Sequence, residues 1–156
     1  MDLWRISNYA DLLGIGGLRA PGRWHVQGQP VVYLAEHPAL CLLETLVHFE
    51  IASLDALPES YKLLRVEVPD DSARAELPLK ALPDKWQESR IWTQEAGTEW
   101  LATGEQLLLK VPSAILPHSF NYLFNPIHAD AARVKIPEVR TVPYDPRILA
   151  MLTGSP

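Results

Sequence analysis

The chain has 156 residues with 47% hydrophobic and 21% charged residues, the size and composition of one globular domain rather than a disordered segment. No apolar run approaches the ~20 residues of a membrane span, and the opening MDLWRIS has no apolar stretch of the kind a secretory signal needs. Net charge is −5 and no dense Lys/Arg cluster occurs, which disfavours capture of a nucleic-acid backbone.

In chain order, Leu3–Ile6 suits a short strand, and Gly14–Trp24 is a glycine-dense loop carrying Arg19 and Arg23. Val31–Ala35 combines β-branched and aromatic residues as a strand does. From Pro38 to about Ile51 there are helix formers and no glycine, with an apolar stripe at helical spacing. Tyr61–Val68 alternates as a half-buried strand, and 69–90, rich in Pro, Asp and Lys, reads as an exposed connection. Thr93–Ala102 reads as a helix with Thr93 as N-cap and Gly104 near its end. Leu107–Val111, Phe120–Phe124 and Arg133–Val142 complete the strands. The 14 prolines, nearly twice the usual ~5%, are spread out and punctuate these elements. The class is mixed α+β, one compact domain over 1–156. The single cysteine, Cys41, forms no internal disulfide and reads as a small buried thiol, in keeping with a cytoplasmic protein.

Glu44 is the sharpest anomaly. It lies in LCLLETLVHF, and a carboxylate among apolar residues survives only if paired, protonated or used. The bland alternative is that Glu44 and His48, one turn on, form the solvent stripe of an amphipathic helix. In Gly14–Trp24 the glycines allow backbone N–H groups near an anion and arginine binds phosphate bidentately, but the spacing is not a dinucleotide fingerprint, and taken alone the segment reads first as a plain surface loop. Ser113 follows a strand, where a serine donates to a ligand or caps a turn; no G-x-S-x-G elbow surrounds it. The five histidines lack zinc spacing, so no metal site is expected.

Taken together, Gly16-Gly17-Leu18-Arg19, Gly22-Arg23-Trp24, Val31-Val32-Tyr33, Leu43-Glu44-Thr45-Leu46-Val47-His48, Val111-Pro112-Ser113 and Asn121-Tyr122-Leu123-Phe124-Asn125-Pro126 occur in the order in which similar motifs occur in RES-domain toxins, which are encoded beside Xre-like antitoxins. The chain resembles that family from Trp4 to Arg147. The resemblance implies an NAD-consuming enzyme on a split, twisted sheet similar to the ADP-ribosyltransferase toxins. Carried over by motif, the family's arginine falls on Arg23, its tyrosine on Tyr33, its glutamate on Glu44 and its serine on Ser113. Arg5 is a second arginine for the dinucleotide, and Asn125 a further cofactor-binding residue. Nothing transfers to 69–90.

The residue types suit that chemistry. Breaking the nicotinamide–ribose bond develops oxocarbenium character, which a carboxylate such as Glu44 stabilises. Arg23 and Arg5 are fit to hold a pyrophosphate, Tyr33 to stack on nicotinamide or ribose, and Ser113 to hydrogen-bond the ribose or amide. Hydrolysis, phosphorolysis with inorganic phosphate as co-substrate, and ADP-ribosyl transfer to a macromolecule all remain open, though Leu42 stands where transferases often carry a second acid. By resemblance the partner is an Xre-like antitoxin covering the active site in a higher-order complex, with a toxin dimer as one form, and operator DNA falls to the antitoxin.

Overall fold

The computed structural model describes residues 1–48 and 58–153. Within them, seven strands form a mixed sheet: β1 (Asp2–Ser7), β2 (Val32–Ala35), β3 (Ser60–Glu67), β4 (Arg74–Glu76), β5 (Leu108–Pro112), β6 (Phe120–Phe124) and β7 (Lys135–Pro143), in the order β4-β5-β6-β2-β1-β3-β7. All neighbours are antiparallel except β4 and β5. β1 pairs with β3 along its whole length, from Asp2↔Glu67 to Ser7↔Lys62. Between β1 and β2 the register is a single pair, Trp4↔Ala35. The two halves of the sheet, β4-β5-β6-β2 and β1-β3-β7, thus meet at one point, which is the split the resemblance implies.

Strand alternation sorts side chains between the two faces. On one face Leu3, Val32, Leu34, Leu64, Val66, Leu108 and Phe124 form a continuous cluster. The other face carries two clusters. Over β5 and β6, Leu109, Val111 and Leu123 pack with Trp24, Trp86, Trp100 and Leu101. Over the β1–β2 junction, Leu40 and Cys41 of helix α2 (Pro38–His48) seat on Ala35, Trp4 and Ile6. Pro38 fits the first turn of α2 because its missing N–H has no helical partner there, and His37 accepts the Ala39 N–H on Nδ1 at 3.1 Å.

Several expectations need correction. The glycine-dense stretch contains a short helix, α1 (Ile15–Arg19), because its turn closes locally through Gly17 N–H to Gly14 O and Ala20 N–H to Gly16 O. Residues 69–90 are not a bare connection: they supply β4, a 3-10 turn over Leu79–Ala81, and Trp86, buried against Trp24 with ring centroids 5.7 Å apart. Helix α3 runs Arg90–Thr103 and starts earlier than expected. Thr93 lies inside it, fully buried, its hydroxyl donating back to the Arg90 and Ser89 carbonyls instead of capping. Helix α4 (Pro146–Thr153) follows the last strand and was not anticipated. The residue Ile51, expected to end the second helix, lies outside the described residues.

Cys41 lies on the sheet-facing side of α2, and burial pushes its thiol up to about 12. A thiolate being the reactive form, Cys41 is expected to resist a thiol reagent at about pH 8 in the native chain and to react stoichiometrically once denaturant exposes it. Rapid labelling of the native chain contradicts this packing.

Candidate active site

β5 and β6 are neighbours with Val111 opposite Asn121, and Ser113 extends the pairing by donating its N–H to the Ser119 carbonyl at 2.9 Å. Asn121 and Leu123 share a face by alternation, and Leu123 packs on the tryptophan side. This puts Asn121 and Ser113 under α2, and both reach Glu44. Ser113 Oγ donates to Glu44 Oε1 at 2.7 Å and Asn121 Nδ2 donates to the same oxygen at 2.6 Å. A hydroxyl has one proton to give, and that of Ser113 goes to the carboxylate; its lone pairs accept the N–H groups of Ile115 at 3.1 Å and Leu116 at 3.0 Å. The 113–116 turn therefore aims the hydroxyl. Two short charge-assisted bonds fix the carboxylate, and Oε2 has no hydrogen-bond partner among the described residues.

Glu44 is half-buried. His48 is exposed at the end of α2. Leu42 lies elsewhere, in a separate groove of about 410 Å³ with Tyr61, Val142 and Tyr144.

Arg23 stands on a turn that the core holds from beneath. Tyr33 is two residues from Ala35 on β2, hence on the α2 side of the sheet. Its hydroxyl accepts the Trp24 N–H at 2.9 Å and bonds His25 Nδ1 at 2.8 Å. His25 Nε2 faces the Ala20 carbonyl at 3.1 Å, which can only accept. This pattern assigns the proton to Nε2 and leaves Nδ1 to accept from Tyr33 and from the Gly22 N–H at 3.2 Å. The turn has no slack. A Cβ on Gly22 falls 2.4 Å from the Tyr33 hydroxyl, and one on Gly97 of α3 falls 1.9 Å from the Trp24 carbonyl. From outside, Gln94 of α3 donates to the Gly22 carbonyl at 2.8 Å, and Arg23 donates to the Gln87 carbonyl at 3.1 Å.

Tyr33 is thereby engaged through its hydroxyl in holding the arginine turn; burial pushes its ionisation far up, with Arg90 and Arg23 opposing weakly. Arg5 alternates with Trp4 and Ile6, so it shares the side of Leu3, and its guanidinium donates to the Asp11 carbonyl. Burial pulls its pKa down, opposed by Asp11. Asn125 lies four residues beyond Asn121 along the β6 direction, on the order of 13 Å away. It is 1% exposed, accepts the Ile127 N–H on Oδ1, and its Nδ2 has no partner among the described residues. The structure brings together Glu44 and Ser113 with Asn121, and Arg23 with Tyr33; Arg5 leaves β1 on the opposite face of the sheet, with an electrostatic interaction with Cys41, and Asn125 is buried just beyond the end of β6. Asn121, His25, Gln87 and Gln94 escaped the sequence reading. Among the described residues no three His, Cys, Asp or Glu side chains converge as metal ligands, and no helix is long and apolar enough to cross a membrane.

Comparison with known proteins gives a consistent family. The RES domain matches residues 2–147. A protein named Toxin Res from Pseudomonas putida is 51% identical over 136 residues, covering 87% of this chain and 92% of its own. A Prs ADP-ribosylating toxin from Sphingobium is 37% identical over 158 residues, covering 95% and 96%. Among solved structures, the M. tuberculosis MbcT-MbcA toxin-antitoxin complex contains a chain that superposes with TM-score 0.68 at 18% identity, over 98% of this chain and 88% of that one, which establishes likeness of fold.

The buried His25 carries a pH signature. Desolvation lowers its pKa below the ordinary 6.5, against the raising effect of its Ala20 contact. Below about pH 6.5 the unfolded chain takes up a proton that folded His25 refuses, so stability falls as pH drops through this window. The acidic groups with lowered pKa, led by Asp145 at about 2, act only at lower pH. The melting temperature is expected to decline between about pH 6.5 and 5, and His25→Gln to flatten that decline while lowering stability throughout. An unchanged slope in the variant contradicts the assignment.

Proposed function

This chain belongs to the RES-domain family of toxins, and on that premise we propose that it is the toxin of a toxin–antitoxin pair and degrades NAD at the nicotinamide–ribose bond. The observation that carries the reading is the Glu44 carboxylate, with one oxygen tied to Ser113 and Asn121 and the other without a partner among the described residues. As the bond from ribose C1′ to the nicotinamide nitrogen breaks, its electron pair neutralises the pyridinium, so nicotinamide leaves without a general acid. The ribose becomes oxocarbenium-like, and the free Glu44 oxygen stabilises it. Water then adds its oxygen to C1′ and loses a proton, giving ADP-ribose; inorganic phosphate in the same place gives the 1″-phosphorylated product. Arg23, on a turn braced from both sides, holds the pyrophosphate through charge-assisted bonds. Ser113 and Asn121 act through Glu44 by fixing its orientation.

A second reading, transfer of ADP-ribose to a macromolecule, is favoured by the name of the Sphingobium relative. Against it, Leu42 packs in another groove, and no second acid stands two residues before Glu44. The partner is an Xre-like antitoxin that covers the cleft, held in a higher-order complex with this acidic chain, which itself leaves DNA to the antitoxin.

Incubating the purified chain with NAD, with and without phosphate, is expected to release nicotinamide together with ADP-ribose or its phosphorylated form. Glu44→Gln keeps the size and one acceptor but loses the charge; it is expected to lower kcat by about 10²–10³-fold, the scale for removing one preorganised electrostatic partner, with ADP-ribose binding preserved. Unchanged NAD from a folded, antitoxin-free sample, or full activity in the variant, contradicts the reading; ADP-ribose found on a protein acceptor selects transfer.

A further inference from the structure

Seven of the chain's basic groups are ion-paired among the described residues. Arg65, Arg74, Lys110, Arg133, Arg140, Arg147 and the N-terminal amine each sit against a carboxylate. Arg23 and Arg90, like six other Lys and Arg side chains, form no ion pair with a carboxylate among the described residues. Each instead reaches across to the backbone of the other's segment. Arg23 Nη1 donates to the Gln87 carbonyl at 3.1 Å, and Arg90 Nη2 lies 3.5 Å from the Pro21 carbonyl. One turn, Pro21–Arg23, thus has a guanidinium on it and another beside it. Both bear electrostatically on the same buried group, the Tyr33 hydroxyl. Each guanidinium has five N–H donors and uses one here, so most of both forks remains to meet a ligand.

Two like charges braced around one turn repel each other, and no carboxylate among the described residues pairs with either. A ligand with two adjacent negative charges does. We propose that Arg90 is a second anion-binding residue of the site, closing with Arg23 on the diphosphate of a dinucleotide substrate. The inference rests on the NAD reading given above and extends it to a residue in the stretch where family resemblance transferred nothing. It divides the labour: Glu44 faces the sugar carbon, and the cation pair grips the two phosphates. Arg90 therefore contributes to substrate binding and leaves the bond-breaking step unchanged.

The test uses two variants. Arg90→Gln can still donate to the Pro21 carbonyl but carries no charge; Arg90→Lys keeps the charge. In a calorimetric titration with ADP-ribose, Arg90→Gln is expected to bind about tenfold more weakly, with the loss shrinking at high salt, and Arg90→Lys to recover much of it. In kinetics with NAD, Arg90→Gln is expected to raise KM by a similar factor with kcat near that of the unmodified chain. With nicotinamide riboside, which has no phosphate, the variant is expected to match the unmodified chain. Equal ADP-ribose affinity in Arg90→Gln overturns the proposal. So does a loss of the same size with nicotinamide riboside, which shows that Arg90 only supports the turn. Failure of the unmodified chain to cleave NAD contradicts the NAD reading itself, while the ADP-ribose titration still decides the role of Arg90.

Discussion

One carboxylate oxygen organises the candidate site. Glu44 Oε1 receives a hydroxyl from the end of β5 and an amide from the start of β6, while its own helix is seated on β1 and β2 through Leu40 and Cys41. The site is therefore fastened to four strands, two from the antiparallel β5–β6 pair and two from the junction where the sheet halves meet. A carboxylate spends side-chain entropy when it is fixed; here the cost is offset by two charge-assisted bonds to residues whose own positions are set by strand pairing and by the 113–116 turn. The orientation of the free oxygen follows from that geometry and needs no ligand to form it.

The arginine turn depends on a different kind of constraint. An unpaired backbone group is costly when buried, and three of the turn's groups find partners: Trp24 N–H at Tyr33, Gly22 N–H at His25, Gly22 carbonyl at Gln94. Close approach makes this possible. Gly97 lets α3 lie directly on the Trp24 carbonyl, and Gly22 leaves room for the Tyr33–His25 pair. Trp24 and Trp86 then seal the underside. A rigid support of this sort suits a residue that must hold a charged ligand from a surface turn, since little ordering is left to be done on binding.

Much of this was readable in advance. Alternation in Tyr61–Val68 and the β-branched run before Ala35 located two strands, and the strangeness of Glu44 among apolar residues marked the carboxylate that Ser113 and Asn121 hold. The motif order identified the family. What escaped was long-range pairing. Asn121 stood inside a quoted motif, but only the register Val111↔Asn121 shows that it reaches the carboxylate, whereas Asn125, the more conspicuous residue before a proline, turns into the interior. Tyr33 has a ring that suggests stacking on nicotinamide or ribose; that its hydroxyl also holds the Trp24 backbone is visible only in the fold. The stretch 69–90 looked polar and unstructured because its contribution, Trp86 and a three-residue parallel strand, is too short for periodicity to register.

The most direct test of the account is a double-mutant cycle on NAD cleavage with Ser113→Ala and Glu44→Gln, alone and combined. If Ser113 works by orienting the Glu44 carboxylate, its removal slows the reaction in the Glu44 background and costs almost nothing once Glu44 is already Gln. Losses that multiply independently contradict the account and give Ser113 a direct role on the substrate.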